Sequence, residues 1–556
     1  MRTLTSAEPK IKVNQIGYLP KGKKVAIVTG MADLTFKLID LRTGNTIKTG
    51  QSGSLVFDPN SGDEVGYIDF SDVIEEGTYQ LEVEEIGTSY PFLINEKVYH
   101  DALVKTGRSY TLQRSNTVID DPITGLRLNA GFSQDKEAQM FFTDAFYHEG
   151  DKLAVEGGWY DAGDYGKYIP PAAVTVAQFL LAYELHPTVF TKGQFLFPEG
   201  VLDTENLPDV LEEVKFELDW MRKMQRPDGA VYHKVSGKNW TGWVIPEEDT
   251  QTRFVYGMST YGTAMFAAAM AQASRVFKLY DKTYAEKLLT HAIMAQEYLQ
   301  ANPETEFRFD PGQDNGSGPY GKRTDRDDRF WAAAELLKTT HDKKYEDYLQ
   351  GHFADLFAEK PSFVSWGNTL ALAQWAYATT KNGDSQVKAE IKKAFIMTAD
   401  EILRQVEKDG YFCALEAKDY TWASNKNAAA KGNLLLMANE LSENEEYITA
   451  ALEQLHYLLG RNAMDMCFLT GTGSNPVLHP HNRICGSTNI IIPGLLVGGP
   501  NHFGGDPDIE AFVKETHPPH AKSYLDYFNS WAVNENAIDY NAAVFFLLAY
   551  FNAEVF

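Results

Sequence analysis

Near residue 97 the period of the hydrophobic pattern changes, and it stays changed to the end of the chain. About a dozen later segments, among them 170–185, 208–225, 259–277, 284–301, 327–338, 368–378, 387–406, 428–441, 447–459 and 537–551, repeat apolar residues at helical spacing. In 208–225, Val210, Leu211, Val214, Leu218 and Met221 fall on one face. Glu212, Glu213 and Lys215 are expected to face water, and Pro227-Asp228-Gly229 follows as a turn. Alanine-rich stretches such as 264–273 allow helices to approach closely. So many helices with no strands expected between them suit a ring of helical hairpins, an (α/α)6 barrel, better than a four-helix bundle.

Ahead of that change the pattern belongs to strands. Segments 25–28, 36–39 and 78–83 are short and rich in β-formers, the last alternating cleanly, with turn residues such as Pro59-Asn60-Ser61-Gly62 between them. Several strands in fewer than 100 residues predict a small β-sandwich. At 556 residues the chain exceeds what one core usually holds. The expected organisation is mainly α: a β-sandwich domain over 10–97, then a helical domain over 98–556. The irregular stretches 310–324 and 460–520 are expected to form functional loops.

The formal charge of −25 disfavours nucleic acid, anionic membrane surfaces and anionic polysaccharides as partners, because each would be repelled. A neutral or weakly cationic substrate is compatible. Cys413, Cys467 and Cys485 show no paired metal-ligand spacing and are expected as buried thiols. No apolar run reaches the roughly 20 residues of a membrane-spanning helix. The first residues lack the apolar stretch of a signal peptide. The chain is therefore expected to be cytoplasmic, or secreted if a signal peptide was removed.

Two acidic clusters carry the chemistry. Gly157-Gly158-Trp159-Tyr160-Asp161-Ala162-Gly163-Asp164 precedes Ile169-Pro170-Pro171, a helix-start signal, so both aspartates lie on a loop entering a helix. Such residues often only cap helices, but the glycines let the backbone approach closely enough for two carboxylates to converge on one water. Glu535 lies just before the last helix among Trp531, Tyr540, Asn534 and Asn541. Enclosure by aromatic rings disfavours an ionised carboxylate, as suits a proton donor. A base on one segment and an acid on another are what hydrolysis of a glycosidic bond requires. In the long loop, His481 and Arg483 can donate hydrogen bonds to sugar hydroxyls or serve as loop anchors. Trp243, Trp331 and Trp422 are either core residues or sugar-stacking rings.

These residues carry a resemblance to glycoside hydrolase family 9, in the subgroup with an N-terminal immunoglobulin-like domain. Val13-Asn14-Gln15-Ile16-Gly17-Tyr18 resembles the opening of that domain, and Asp161-Ala162-Gly163-Asp164 resembles the family's catalytic-base motif. The family's histidine signature is matched by Leu469, Thr470, Gly473, Asn475, His481 and Arg483, with Cys467 departing at its first position. Its acidic signature is matched by Tyr524, Asp526, Trp531, Glu535, Ala537, Asn541 and Ala542. The resemblance implies Asp164 as general base, Asp161 as its partner in holding the water, Glu535 as general acid, and His481 and Arg483 as sugar ligands. It implies inversion at the anomeric carbon, with no covalent intermediate.

No cofactor is expected for the chemistry. Relatives with this N-terminal domain often carry a Cys/Cys/His/His zinc site before the aspartate motif, but Gln113-Arg114-Ser115 stands where the first cysteine is expected, so no zinc site is expected. Asp327-Asp328 resembles an acidic pair that binds calcium in relatives, which makes calcium a candidate structural ion there, although a further acidic ligand is missing near Trp366-Gly367-Asn368. The expected activity is an endo-acting, monomeric β-1,4-glucanase on cellulose-like or mixed-linkage chains. The rivals are an exo-acting hydrolase of short oligosaccharides, such as an exo-β-glucosaminidase, and a non-catalytic carbohydrate-binding protein.

Overall fold

A computed structural model describes residues 10–201, 206–308 and 317–553. The chain divides into two compact bodies. One takes in the residues up to Ser109, Ala399–His481 and the residues from Ile491 onward; the other takes in Tyr110–Thr398 and Asn482–Ile490.

The first body begins with two sheets. Strands Ile11–Lys12, Val25–Thr29, Asp63–Asp69 and Val56–Asp58 lie in that spatial order in one sheet. Gly17–Tyr18, Phe92–Ile94, Gly77–Val83, Thr35–Asp40 and Asn45–Gln51 form the path of the other. Alternation decides which side chains face inward: Phe36 and Leu38 on one strand meet Val83 and Leu81 in register on its neighbour, and all four are buried. With Val13, Tyr18, Val28, Ile68, Phe70 and Phe92 they make one core, as the alternating segment 78–83 predicts.

The motif from Val13 to Tyr18 works as a fastener. The Asn14 carboxamide oxygen accepts from the N–H groups of Ile16 (3.0 Å) and Gly17 (3.2 Å), and its amide nitrogen donates to His456 Nδ1 (3.0 Å) on the helix Glu445–Leu458. Gln15 Oε1 accepts from the N–H groups of Ser474 (3.1 Å) and Asn475 (2.8 Å). Gly17 has φ 140°, and a Cβ there would lie 2.1 Å from the carbonyl oxygen of Leu93, so only glycine fits. A second seam joins Asp58 of the strand edge to Asp409. Asp409 Oδ1 accepts from the N–H groups of Tyr411 (2.9 Å) and Cys413 (3.1 Å), and Oδ2 accepts from the Asn60 amide (3.1 Å). Asp58 accepts from the N–H groups of Ser61 (2.8 Å) and Gly410 (3.3 Å). Burial, and then the charge of Asp58, push the Asp409 carboxyl up to about 7.

The remainder of this body is helical. Ser424–Leu441 packs against Glu445–Leu458 and Ile538–Asn552, and Glu445–Leu458 also packs against Ile538–Asn552. The last helix is apolar around its whole circumference and is buried almost throughout.

In the second body, Thr260–Phe277 packs against Ile169–Leu185, Lys282–Ala301 and Arg326–Thr340, and Arg326–Thr340 packs in turn against Leu370–Ala378. The helix Asp209–Lys223 corrects the amphipathic expectation, because Glu212 and Glu213 are buried rather than solvated. Glu213 receives Arg114 Nε and NH2 (both 2.9 Å), the Thr111 hydroxyl (2.5 Å) and Trp159 Nε1 (2.6 Å), which together replace the lost water. Nor is this body free of strands. Ala138–Met140, Lys152–Leu153, Lys167–Tyr168, Tyr232–Ser236, Phe254–Ser259 and Phe307–Arg308 form one sheet. They escape the pattern because buried polar side chains interrupt it: His233 is bonded to Ser259 and to the Pro319 carbonyl oxygen, and Lys234 to Ser317. No helix among the described residues is long and apolar enough to cross a membrane.

Candidate active site

In the second body, the turn carrying Asp161 and Asp164 is held from beneath. Gly157 and Gly158 have φ of 94° and 81°, and a Cβ on Gly158 would lie 2.7 Å from the Trp220 ring, so the chain passes close over that indole because it is glycine. The Trp159 N–H donates to Glu217 (2.7 Å), the Tyr160 N–H to the Gln113 carbonyl (2.9 Å), and the Ser115 N–H to the Gly158 carbonyl (2.8 Å). Gln113-Arg114-Ser115 thus braces the motif through its backbone, while Arg114 reaches Glu213. Beyond the motif, the buried Lys167 ammonium donates to Asp135 (2.7 Å) and to the carbonyls of Val155 (2.8 Å) and Gly157 (2.7 Å). Arg253 completes this cluster, donating to Asp135 (2.9 Å) and to the Tyr165 carbonyl (2.9 Å). Such a pinned turn pre-pays the entropy of orienting its carboxylates.

Both aspartates are buried. The Tyr320 hydroxyl donates to Asp161 Oδ2 at 2.5 Å. Asp164 Oδ2 accepts from the Gly166 N–H (2.9 Å) and the Tyr168 hydroxyl (3.3 Å), which leaves Oδ1 without a donor among the described residues. The Tyr320 and Tyr168 rings meet edge to face at 4.7 Å, and Trp366 closes on Tyr320 at 4.9 Å. Burial, then Asp164 and Asp161, hold the Tyr168 phenol well above its usual range, so it stays a donor. Arg483 belongs to this body too: its N–H donates to the Gly163 carbonyl (3.0 Å) and its Nε to the Thr241 carbonyl (2.7 Å).

Glu535 and His481 belong to the first body. Glu535 is half-buried, in extended conformation directly after the short helix Trp531–Asn534, and pairs as an isolated bridge with His481. Its carbonyl accepts from the Gly498 N–H (2.8 Å), and the His481 N–H donates to the Asn534 carbonyl (2.8 Å). His481 Nδ1 lies 2.5 Å from the Phe528 carbonyl, so Nδ1 carries a proton and donates to it. The Trp531 ring stands edge-on to His481 at 6.1 Å.

Most of the spaced residues of the acidic signature are framework. Asp526 accepts from the N–H groups of Leu478 (3.0 Å) and His479 (2.9 Å), fixing the segment that leads into His481. Asn534 receives the Tyr524 hydroxyl and donates to the His479 carbonyl. Asn541 accepts from the Leu496 N–H (2.8 Å) and donates to Ser109 and the Gly494 carbonyl (both 2.9 Å).

Asp327 and Asp328 stand at the start of the helix Arg326–Thr340 and share two partners. Lys322 Nζ lies 3.0 and 3.2 Å from the two oxygens of Asp327 and 2.7 Å from Asp328, and Thr369 donates to both carboxylates. Burial alone would lower the Lys322 pKa, but the two carboxylates outweigh it and hold the ammonium above its ordinary value. Calcium takes six to eight oxygen ligands. Here an ammonium already lies between the two carboxylates, and no cluster of three or more His, Cys, Asp or Glu among the described residues is placed to hold a metal ion. The donor set at Asp327 and Asp328 therefore does not fit calcium.

Tyr320 and Tyr168 escape motif reasoning. Tyr320 sits in the irregular stretch 310–324, of which 310–316 lie outside the described residues, and a lone tyrosine there has no spacing to mark it. Trp331 is fully buried and belongs to the core, whereas Trp243 and Trp422 are exposed.

A β-rich N-terminal domain leading into a mainly helical one, with carboxylates on a loop before one helix and just ahead of the last, is the layout of a carbohydrate-cleaving hydrolase. The family profile "Cellulase N-terminal ig-like domain" matches residues 6–88, and that of "Glycosyl hydrolase family 9" matches residues 99–548. The chain belongs to glycosyl hydrolase family 9 and is a glycoside hydrolase. Endoglucanase D of Acetivibrio thermocellus is 33% identical over 550 residues, covering 98% of this chain and 83% of that protein. A cellodextrinase of Butyrivibrio fibrisolvens is 30% identical over 559 residues, covering 97% and 99%. Among solved structures, the family 9 endoglucanase J30 superposes with a TM-score of 0.94 at 46% identity, covering 96% of this chain and all of that one.

Proposed function

We propose that this chain is an inverting, endo-acting β-1,4-glucanase, with residues 10–97 as its immunoglobulin-like domain and 98–556 as its catalytic domain. Asp164 is the general base, Asp161 helps hold the attacking water, and Glu535 is the general acid. The carrying observation is the polarised bonding of Asp164: Oδ2 is taken by Gly166 and Tyr168, while Oδ1 has no donor among the described residues and is the oxygen available to a water. In the reaction Asp164 accepts a proton as that water attacks the anomeric carbon, and Glu535 gives its proton to the departing sugar oxygen. Inversion requires acid and base roughly 6.5–9.5 Å apart, with room for the water. His481 Nε2 and the Arg483 guanidinium are assigned to sugar hydroxyls. Within the chain, Lys322 pairs with both Asp327 and Asp328.

A polymeric β-glucan is met outside the cell, so an exported, monomeric protein is the matching form. Soluble cellulose and mixed-linkage glucan test the reading: a rapid fall in viscosity, with the new reducing end first seen as the α-anomer by NMR, is expected. A first product in the β configuration would overturn the mechanism.

The similarity to a cellodextrinase favours a second reading, exo action on short oligosaccharides. Monomer release from cello- or chitosan oligomers without loss of viscosity in the polymer would select it.

A further inference from the structure

Tyr320, whose hydroxyl bonds Asp161, has a backbone φ of 46°, in the left-handed region that residues with a Cβ seldom occupy. A non-glycine residue stays there only where its surroundings over-determine it. Here the carbonyls on both sides of it are held. The Pro319 carbonyl oxygen lies 2.8 Å from His233 Nε2, and the Tyr320 carbonyl oxygen accepts from the Tyr261 hydroxyl at 3.0 Å. Slightly earlier in the chain, Ser317 Oγ accepts from Lys234 (2.6 Å) and donates to Ser236 Oγ (2.9 Å). The strand Tyr232–Ser236 therefore underpins the segment that presents Tyr320.

His233 is fully buried, and its two nitrogens do different things. A carbonyl oxygen can only accept, so Nε2 carries the proton that reaches Pro319. Nδ1 lies 2.9 Å from the Ser259 hydroxyl. That hydroxyl caps the helix Thr260–Phe277 by accepting from the Gly262 N–H at 3.0 Å, which leaves its own hydrogen for the ring. Burial pushes the imidazole down to about 3, so the ring stays neutral and Nδ1 stays an acceptor. Phe307 at 4.9 Å and the edge of Tyr261 at 5.6 Å hold the ring in its plane.

We propose that His233 is a positioning residue for hydrolysis: through the Pro319 carbonyl it keeps Tyr320 in its left-handed conformation and so keeps the Tyr320 hydroxyl on Asp161. The consequence for rate rests on the glucanase reading above. A buried histidine of the ordinary kind needs only to satisfy its two nitrogens. This one gives its donor to the peptide directly ahead of a strained residue, 86 positions away in sequence, and that residue reaches a carboxylate of the aspartate turn. Without the bond, the backbone at Tyr320 is free to relax toward negative φ, and the hydroxyl swings away from Asp161.

The test measures kcat and KM on soluble glucan for the wild type, His233→Leu, His233→Gln, Tyr320→Phe and the double variant of His233→Leu with Tyr320→Phe, and crystal structures of the wild type and His233→Leu accompany it. Leucine keeps the bulk and loses the donor, whereas glutamine carries an N–H about as far as Nε2. The expected result is a fall of roughly tenfold in kcat for His233→Leu at unchanged KM, most of it recovered in His233→Gln. Adding His233→Leu to Tyr320→Phe is expected to cost nothing further, because both act on one hydrogen bond. In the His233→Leu crystal structure the Tyr320 hydroxyl is expected beyond hydrogen-bonding distance of Asp161. An unchanged kcat in His233→Leu, or losses that multiply in the double variant, would overturn the proposal. If His233→Leu does not fold, His233→Asn takes its place under the same criteria, since it keeps a partner for Ser259 and falls short of Pro319. A wild type that cleaves no soluble glucan would overturn the glucanase reading; the clamp is then judged on the crystal structures, where a hydroxyl still on Asp161 in the variant would overturn it as well.

Discussion

The hydroxyl of Tyr320 donates to Asp161 Oδ2 at 2.5 Å, and two residues further on Lys322 is clamped by Asp327 and Asp328. One short stretch of irregular chain therefore reaches a buried carboxylate of the aspartate turn at one point and a helix start at another. Tyr320 fixes the rotation of Asp161 and satisfies one of its oxygens.

Tyr320→Phe removes a hydrogen bond to a charged acceptor while keeping the ring between Tyr168 and Trp366. Such bonds contribute about 1.5–3 kcal/mol, so kcat on soluble glucan is expected to fall roughly 10- to 100-fold with little change in melting temperature. An unaltered kcat would remove Tyr320 from the site.

With Glu535 as the proposed general acid, Glu535→Gln is expected to lower kcat on glucan by about 10²–10⁴. An aryl cellobioside whose phenol leaves without protonation is expected to suffer much less. Equal losses on both substrates would contradict the acid role.

Asp409 binds its proton more tightly folded, at about 7, than an unfolded aspartate does at about 3.9. Between those values the native state holds more protons than the unfolded one, so this group's contribution to stability falls as pH rises through the window. Melting temperatures measured from pH 5 to pH 8 are expected to decline, and Asp409→Asn is expected to flatten the decline. An identical slope in the variant would place the effect elsewhere.

Lys322→Met leaves two carboxylates facing each other without their cation. Breaking a buried pair in this way costs roughly 3 kcal/mol or more. The variant is expected to melt lower, whereas the wild type is expected to melt at the same temperature with or without a chelator. A wild-type melting temperature that drops with chelator would show that the ammonium is not the working counter-ion.

The helices were legible because their apolar spacing is long and regular: the structure has Ile169–Leu185 and Lys282–Ala301 where the periodicity places helices over 170–185 and 284–301. What escaped was polar burial. Glu213 looks solvated by periodicity and is instead the hub for Arg114, Thr111 and Trp159, all distant in sequence. The strand Tyr232–Ser236 hides for the same reason, since His233 and Lys234 find partners that only the tertiary fold supplies. Among the candidate residues, the aspartates and Glu535 are recognisable from their neighbours in sequence, while Tyr320 is brought to Asp161 from 159 residues away.

The way Asp526 holds the backbone of Leu478 and His479 changes what a mutational scan of this enzyme would measure. Of the residues spaced through the acidic signature, Glu535 alone is assigned a proton to exchange; Asp526 and Asn541 act on main-chain amides and carbonyls, as struts. The footprint of lost activity along 524–542 should therefore be far wider than the chemistry, and a designer moving Glu535 into another scaffold would have to carry its trusswork along.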